Sequence, residues 1–304
     1  MPGNKLFLGP SMKNAIFSAT LILLILTSGC EKAIHIVIPG SASQLVVEGY
    51  IYSGLPPVVI LSHSLGFFSK ISSSLIDSSF VHGATITVSN GIQTQTLKEY
   101  ALDTTGGNTI YFYSADSSRP LQIFTGVPGN TYSLHIITGG TSYTASTSIP
   151  KGGDILDSLW VIYPPLKADS GKAILMGSIT DPPQPGNCIR YFTRINSGPF
   201  LPGFNSVFND DLTNGTTYST EIAPGFDKNN ITDSAHRFFQ VGDTVTVELS
   251  NIDQATYNFW HTYDYSFTNT GNPFSSPILI LGNVPGALGY WGGYEQQYKT
   301  IIIP

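Results

Sequence analysis

Apolar residues alternate one for one with hydroxyls along Ala84-Thr85-Ile86-Thr87-Val88-Ser89. A period of two is the mark of a strand that buries one face and wets the other, because successive side chains leave a strand on opposite sides. Asn90-Gly91 follows, and then a second alternating run over residues 92–97. Asn-Gly between two such runs predicts a hairpin closed by a type I′ turn, whose two central residues both need positive φ. The pattern recurs. Tyr132, Leu134 and Ile136 alternate with Thr131, Ser133 and His135, and Gly139-Gly140 turns that strand into residues 143–149. Residues 45–51 and 58–62 read as further strands. Short strands punctuated by turn residues at this rate predict a β-sandwich over residues 44–150.

A turn at Pro150-Lys151-Gly152-Gly153 predicts a boundary, with a second β-rich domain over residues 154–304. Its expected strands cover residues 155–163, 172–180, 187–196, 216–222 and 244–249, with another hairpin turn at Asn214-Gly215. Asp253 has the side chain to cap one helix over residues 254–267. Phe259, Trp260, Tyr263 and Phe267 fall on one face of it, which predicts an amphipathic helix packed on a sheet. The expected fold is therefore mostly β, with two β-sandwich-like domains and one C-terminal amphipathic helix in the second.

The first 29 residues follow a different logic. Residues 1–13 carry Lys5 and Lys13 and no acid, and residues 15–26 are almost wholly apolar. Basic then apolar is the order of a secretory signal peptide. An apolar run of about 12 residues is too short to cross a bilayer core of about 30 Å as a helix. Thr27-Ser28-Gly29-Cys30 then places small residues directly before a cysteine, which resembles the lipobox of bacterial lipoproteins. That resemblance implies removal of residues 1–29, a diacylglyceryl group on the Cys30 thiol, and a linker over residues 30–43. Membrane attachment would run through this N-terminal lipid. The second cysteine, Cys188, then has no partner within the chain and reads as a small buried residue.

Charge excludes some partners. Removing residues 1–29 deletes two lysines and no acid, which takes 14 basic residues to 12 against 20 acidic and the net charge to −8. No basic run occurs, so nucleic acid is not an expected partner. Only 11% of residues are charged, against about 25% in an average domain, so Ser, Thr, Asn and Gln must supply the polar surface.

No catalytic motif is present: there is no His-Glu-x-x-His and no Walker loop. Ser62-His63-Ser64-Leu65-Gly66 lacks the first glycine of a nucleophile elbow. The six histidines are scattered without ligand spacing, and Asp210-Asp211 fails the EF-hand spacing because Leu212 takes the third position. The expectation is a non-enzyme with no cofactor and no metal. Tyr290, Trp291 and Tyr294 lie among glycines and are the candidate contact residues for a ligand or partner, as exposed aromatics. Asp103-Thr104-Thr105, Asp157-Ser158-Leu159, Asp233-Ser234-Ala235 and Asp243-Thr244-Val245 resemble a bacterial O-glycosylation signal.

Several segments together resemble one family. Residues 44–51 resemble the opening strand of domain-of-unknown-function family 4249, predicted lipoproteins of the Bacteroidota. Val81-His82-Gly83-Ala84-Thr85-Ile86-Thr87-Val88 is similar to its "V-x-G-A-x-V-x-V" strand, and Gly129-Asn130-Thr131-Tyr132-Ser133-Leu134 to its "G-x-x-Y-x-L" strand. Asp210-Asp211 ahead of Asn214-Gly215 resembles its acidic hairpin. Asn272-Pro273-Phe274-Ser275 and Gly286-Ala287-Leu288-Gly289-Tyr290-Trp291-Gly292 resemble its C-terminal signature, with Ala287 where glycine is expected. The resemblance spans roughly residues 30–295. It implies an outer-membrane lipoprotein encoded beside TonB-dependent receptors, one of which is the expected partner. It also likens the first domain to immunoglobulin-like and carboxypeptidase-regulatory-like sandwiches. The expected location is the outer membrane, leaning to its surface face over its periplasmic face. The alternatives are an envelope hydrolase without a familiar motif and a structural or adhesive surface protein.

Overall fold

The computed structural model describes residues 43–66, 69–70, 72–104, 107–165, 171–228, 238–269 and 278–304. The signal peptide, Cys30, the linker up to residue 42, the triplet at Asp233 and the Asn272-Pro273-Phe274-Ser275 segment lie outside these residues.

Strands dominate, as the alternation requires. In chain order they are β1 (Leu45–Tyr52), β2 (Val58–His63), β3 (Thr85–Ser89), β4 (Thr94–Asp103), β5 (Thr109–Ala115), β6 (Thr131–Thr138) and β7 (Thr141–Ser148). There follow β8 (Ile155–Ile162), β9 (Lys172–Thr180), β10 (Cys188–Ile195), β11 (Leu201–Asn209), β12 (Thr217–Ile222), β13 (Phe239–Gln240), β14 (Thr244–Ile252) and β15 (Leu288–Ile302). Helix α1 (Ser73–Ser79) is two turns long, and α2 (Gln254–Thr268) is the expected C-terminal helix. Asp253 caps α2 as read from the sequence, its carboxylate accepting the Thr256 N–H at 2.8 Å.

Turn chemistry departs from expectation at two places. Gly139-Gly140 does close a two-residue hairpin, with Thr138 opposite Thr141 and positive φ at both glycines. Asn90-Gly91 does not. Ser89 pairs with Thr94, so the loop holds four residues, and only Gly91 has positive φ. Asn90 Oδ1 instead accepts the N–H groups of Ile92 and Gln93, an Asx-type cap that replaces the tight turn. Asn214-Gly215 also fails to join a hairpin. It carries the chain from β11 in one sheet to β12 in another, on a helical turn in which Asp210 O accepts from Thr213 and Asn214 N–H.

The larger sheet has eleven strands in the order β11-β10-β14-β15-β1-β2-β5-β4-β3-β6-β7. The smaller is built on β9, flanked by β8 and by β12 and β13. Strand β15, drawn from the glycine-rich tail, joins the two halves of the large sheet. Residues 288–294 pair parallel with β1, and residues 294–302 pair antiparallel with β14. Its pairing places Trp291, Gly293, Glu295 and Gln297 on one face. That face carries two cores side by side. Val47, Ile51, Ile86, Val88, Leu134, Ile136 and Trp291 fill one; Leu175, Ile179, Ile189, Tyr191, Val245, Val247 and Leu249 fill the other, under the smaller sheet. The opposite face holds Tyr290, Tyr294, Ile252, Cys188 and Val207, covered by Phe259 of α2. Ala42–Pro304 is one compact unit.

A prediction arises here. Lys151 is exposed in a turn with Gly152 at φ +71°, so mild trypsin should cut after it. Because Trp291 and β15 complete the core of residues 45–149, the two fragments should co-elute on gel filtration and separate only in denaturant. Separation in native buffer would contradict the shared strand.

Candidate functional site

Strands β11 and β12 are consecutive in sequence yet pair with different partners, β10 and β9. Neither pairs with the other, so the sandwich stands open between them. The opening is a cleft of about 470 Å³. Ile179, Ile189, Ile222 and Leu249 form an aliphatic floor. Tyr191 and Phe208, stacked at 6.1 Å, form one wall; Tyr257, His261 and Tyr265 of α2 form another. An apolar cavity with a few convergent polar groups is the usual form of a binding site.

Helix α2 is held against β11 by one buried acid. Asp264 Oδ2 accepts the backbone N–H of Ser206 at 2.8 Å and its hydroxyl at 2.9 Å, and Asp264 Oδ1 pairs with the Lys228 ammonium. Burial holds Lys228 below its ordinary pKa, and Asp264 pulls it back. Both charges are thus committed to each other. The Tyr218 phenol is raised well above its ordinary value by burial and by the nearby carboxyls of Asp154 and Asp181, and it hydrogen-bonds Thr213. It remains a neutral donor on the cleft wall. Glu221 stands on the rim, and among the described residues no lysine or arginine lines the cleft. The arrangement suits a neutral or cationic ligand with apolar groups.

The three aromatics expected at an exposed contact surface are corrected by their burial. Tyr290 is 4% exposed, Trp291 0% and Tyr294 1%. Alternation along β15 sends Trp291 into the first core, where its Nε1 donates to Tyr132 O at 2.9 Å. Tyr290 and Tyr294 go to the other face. Tyr290 stacks on Phe259 at 4.6 Å, and Tyr294 OH accepts the Trp260 Nε1–H at 2.9 Å. Both faces of β15 are covered, so none of the three is free to meet a ligand. Tyr290 and Tyr294 support α2, and so the cleft wall, from beneath, while Trp291 fills the first core on the other face.

Cys188 is buried on the same side, and burial with nearby carboxylates pushes its thiol up to about 12. It is a packing residue at neutral pH. Asp210 serves the backbone: its Oδ2 accepts the N–H of Gly186 at 2.7 Å and of Asn187 at 3.0 Å. Ser64 Oγ accepts the Gln44 N–H at the end of a strand pair. Among the described residues no group of three or more His, Cys, Asp or Glu is placed to hold a metal ion.

The cleft itself was not visible in the sequence. Tyr191, Phe208, Tyr218 and Tyr257 lie on four different elements and meet only through strand pairing and the packing of α2. The one signal available was the pairing of aromatics with Asn and Thr along residues 204–220, which fits a loop as well as a site.

A family model described as a domain of unknown function, DUF4249, matches residues 31–300. No curated protein matches the chain.

Proposed function

Since the chain belongs to the DUF4249 family, we propose that it is a lipid-anchored outer-membrane protein that binds a ligand or partner in the cleft between β11, β12 and α2. The reading is non-enzymatic, and it makes a TonB-dependent receptor the natural associate. The observation that carries binding is the open cleft, with an aliphatic floor, aromatic walls and polar groups at its rim. The anchor rests on the sequence: a basic start, an apolar run of about 12 residues and Cys30 after three small residues. A single acyl chain binds membranes only marginally, so a stable anchor takes the multiple chains that a lipoprotein cysteine carries. With a net charge of −8 after processing, the protein gains nothing from anionic headgroups. The surface face of the outer membrane fits the Ser/Thr/Asn-rich exterior.

Expression of the full chain in a host that processes lipoproteins tests the anchor. The native protein should incorporate an alkynyl palmitate analogue and sediment with membranes. Cys30→Ala should do neither. Labelling of the Cys30→Ala variant would overturn the proposal. Proteinase K on intact cells then decides the face, digestion placing the protein on the surface and protection placing it in the periplasm.

A further inference from the structure

From the two strand edges that border the cleft, we infer that the cleft takes an extended peptide, which adds to β12 as a further strand and inserts alternate side chains between β12 and β11. This rests on the reading of the chain as a binding protein and names the ligand class for its site.

The register decides which backbone groups are available. Asp181 N–H donates to Thr216 O, beside the β9–β12 pair Thr180↔Thr217. In an antiparallel ladder, bonded and non-bonded pairs alternate. Tyr218, Thr220 and Ile222 therefore turn their backbone groups to β9. Ser219 and Glu221 turn theirs outward, and both residues are exposed. Side chains alternate the other way: Tyr218, Thr220 and Ile222 line the cleft. A peptide on this edge would form its main-chain bonds with Ser219 and Glu221 and send alternate side chains over the aliphatic floor. That is β-strand addition with pockets for every second residue.

Edges left open in folded proteins are normally blunted by proline, lysine, bulges or short length. The β11 edge follows this rule. It contains Pro202, and its pairing with β10 shifts register between Arg190 and Phe192. Strand β12, Thr-Tyr-Ser-Thr-Glu-Ile, has no proline, lysine or bulge, carries Glu221 as its single charge, and pairs with β9 without a shift through all six residues. A regular, β-prone edge beside an apolar cleft is a template for one more strand.

Charge selects the occupant. Glu221 sits on the edge, Asp211 lies in the loop that follows β11, and among the described residues no lysine or arginine lines the cleft. The chain is itself net negative, so a second copy would bring like charge to the same edge. The fitting partner is a peptide whose apolar residues alternate with lysine or arginine.

Selection from a random eight-residue displayed peptide library, on the full detergent-solubilised lipoprotein, tests the inference. Enriched peptides should alternate apolar and basic residues. Their binding should slow hydrogen exchange at the Ser219 and Glu221 amides. Ser219→Pro removes an N–H that β9 does not use, and it should weaken binding about tenfold, the effect of one lost hydrogen bond that leaves its partner unpaired. Glu221→Lys should shift selection towards acidic peptides whether or not the proline variant folds. Enriched peptides indifferent to both substitutions would overturn strand addition while leaving a binding cleft. Absence of any enriched peptide would count against the binding reading itself. A wild-type dimer abolished by Ser219→Pro would show that the edge serves a second copy and would overturn the peptide assignment.

Discussion

Gly289→Ala should cost the fold several kcal/mol, enough to leave little soluble protein. Gly289 lies opposite Val47 in the parallel pairing of β15 with β1, at φ +97°. A Cβ there would sit 1.9 Å from Val47 O and 2.8 Å from its carbonyl carbon. Both are backbone atoms in the middle of a sheet, so neither can yield. The substitution combines a left-handed backbone with a direct collision, and β15 must leave β1 to relieve it. With that pairing goes the placement of Trp291, whose ring fills the first core. Losses above about 4 kcal/mol are exceptional for single substitutions and follow from this kind of mechanism. Gly286→Ala is the control. It shares positive φ, at +83°, but a Cβ there meets only Tyr143 ring carbons, the nearest at 3.6 Å. Its cost should be the conformational penalty alone, about 1–2 kcal/mol. Urea unfolding of the two variants checks the contrast. Equal midpoints would show that the β1–β15 contact does not organise the sheet.

Asp154→Asn should stabilise the protein at pH 8 and do little at pH 4. Asp154 and Asp181 are buried, and their carboxyl groups hydrogen-bond each other. Asp154 Oδ1 and Asp181 Oδ2 are buried with no donor to satisfy them. Two carboxylates in contact cannot both ionise cheaply, so the pair holds one proton. Burial first, then the charges of Asp181 and Asp210, push Asp154 up to about 7. Burial and Asp210 raise Asp181 as well. The sign follows from linkage. A carboxyl raised above its unfolded value binds a proton in the folded state that the unfolded chain has released. The contribution is complete below about pH 4 and is lost as the pH rises through about 7. Asparagine imitates the protonated acid and offers Asp181 a permanent donor. Discounted for solvent around the pair, the gain at pH 8 should be about 1–2 kcal/mol. Urea midpoints of both proteins at pH 4 and pH 8 measure it. The same gain at both pH values would mean that no proton is shared.

Much of the architecture was legible, and what was missed shares a cause. Strands with alternating patterns, such as Thr85–Ser89 and Thr131–Thr138, were readable because one face is buried and the other wet. The cap at Asp253 was readable because capping is local. Strand β15 was not. Gly289, Gly292 and Gly293 break its pattern, since added Cβ atoms would meet Val47 O, Thr256 and Ser148 O. These glycines mark close approaches rather than turns, and only the tertiary structure distinguishes the two. Tyr290, Trp291 and Tyr294 looked exposed for the same reason: glycine neighbours resemble a loop, whereas here they let other chain segments cover the rings. Strand β11 was obscured by Pro202 and Gly203. Residues 216–222 were readable as β12, but the cleft also needed β11, so it stayed hidden with that strand.

The central claim is that the anchored protein engages a partner through the cleft, and photocrosslinking in living cells tests it most directly. Benzoylphenylalanine at Phe208, a rim residue 46% exposed, samples the cleft; the same group at Ile92, 92% exposed in the β3–β4 loop, samples the distant surface. The account predicts a discrete ultraviolet-dependent adduct from Phe208 with an envelope protein, none from Ile92, and loss of the adduct in the Cys30→Ala background. No adduct from Phe208, or the same adduct from both positions, would contradict it.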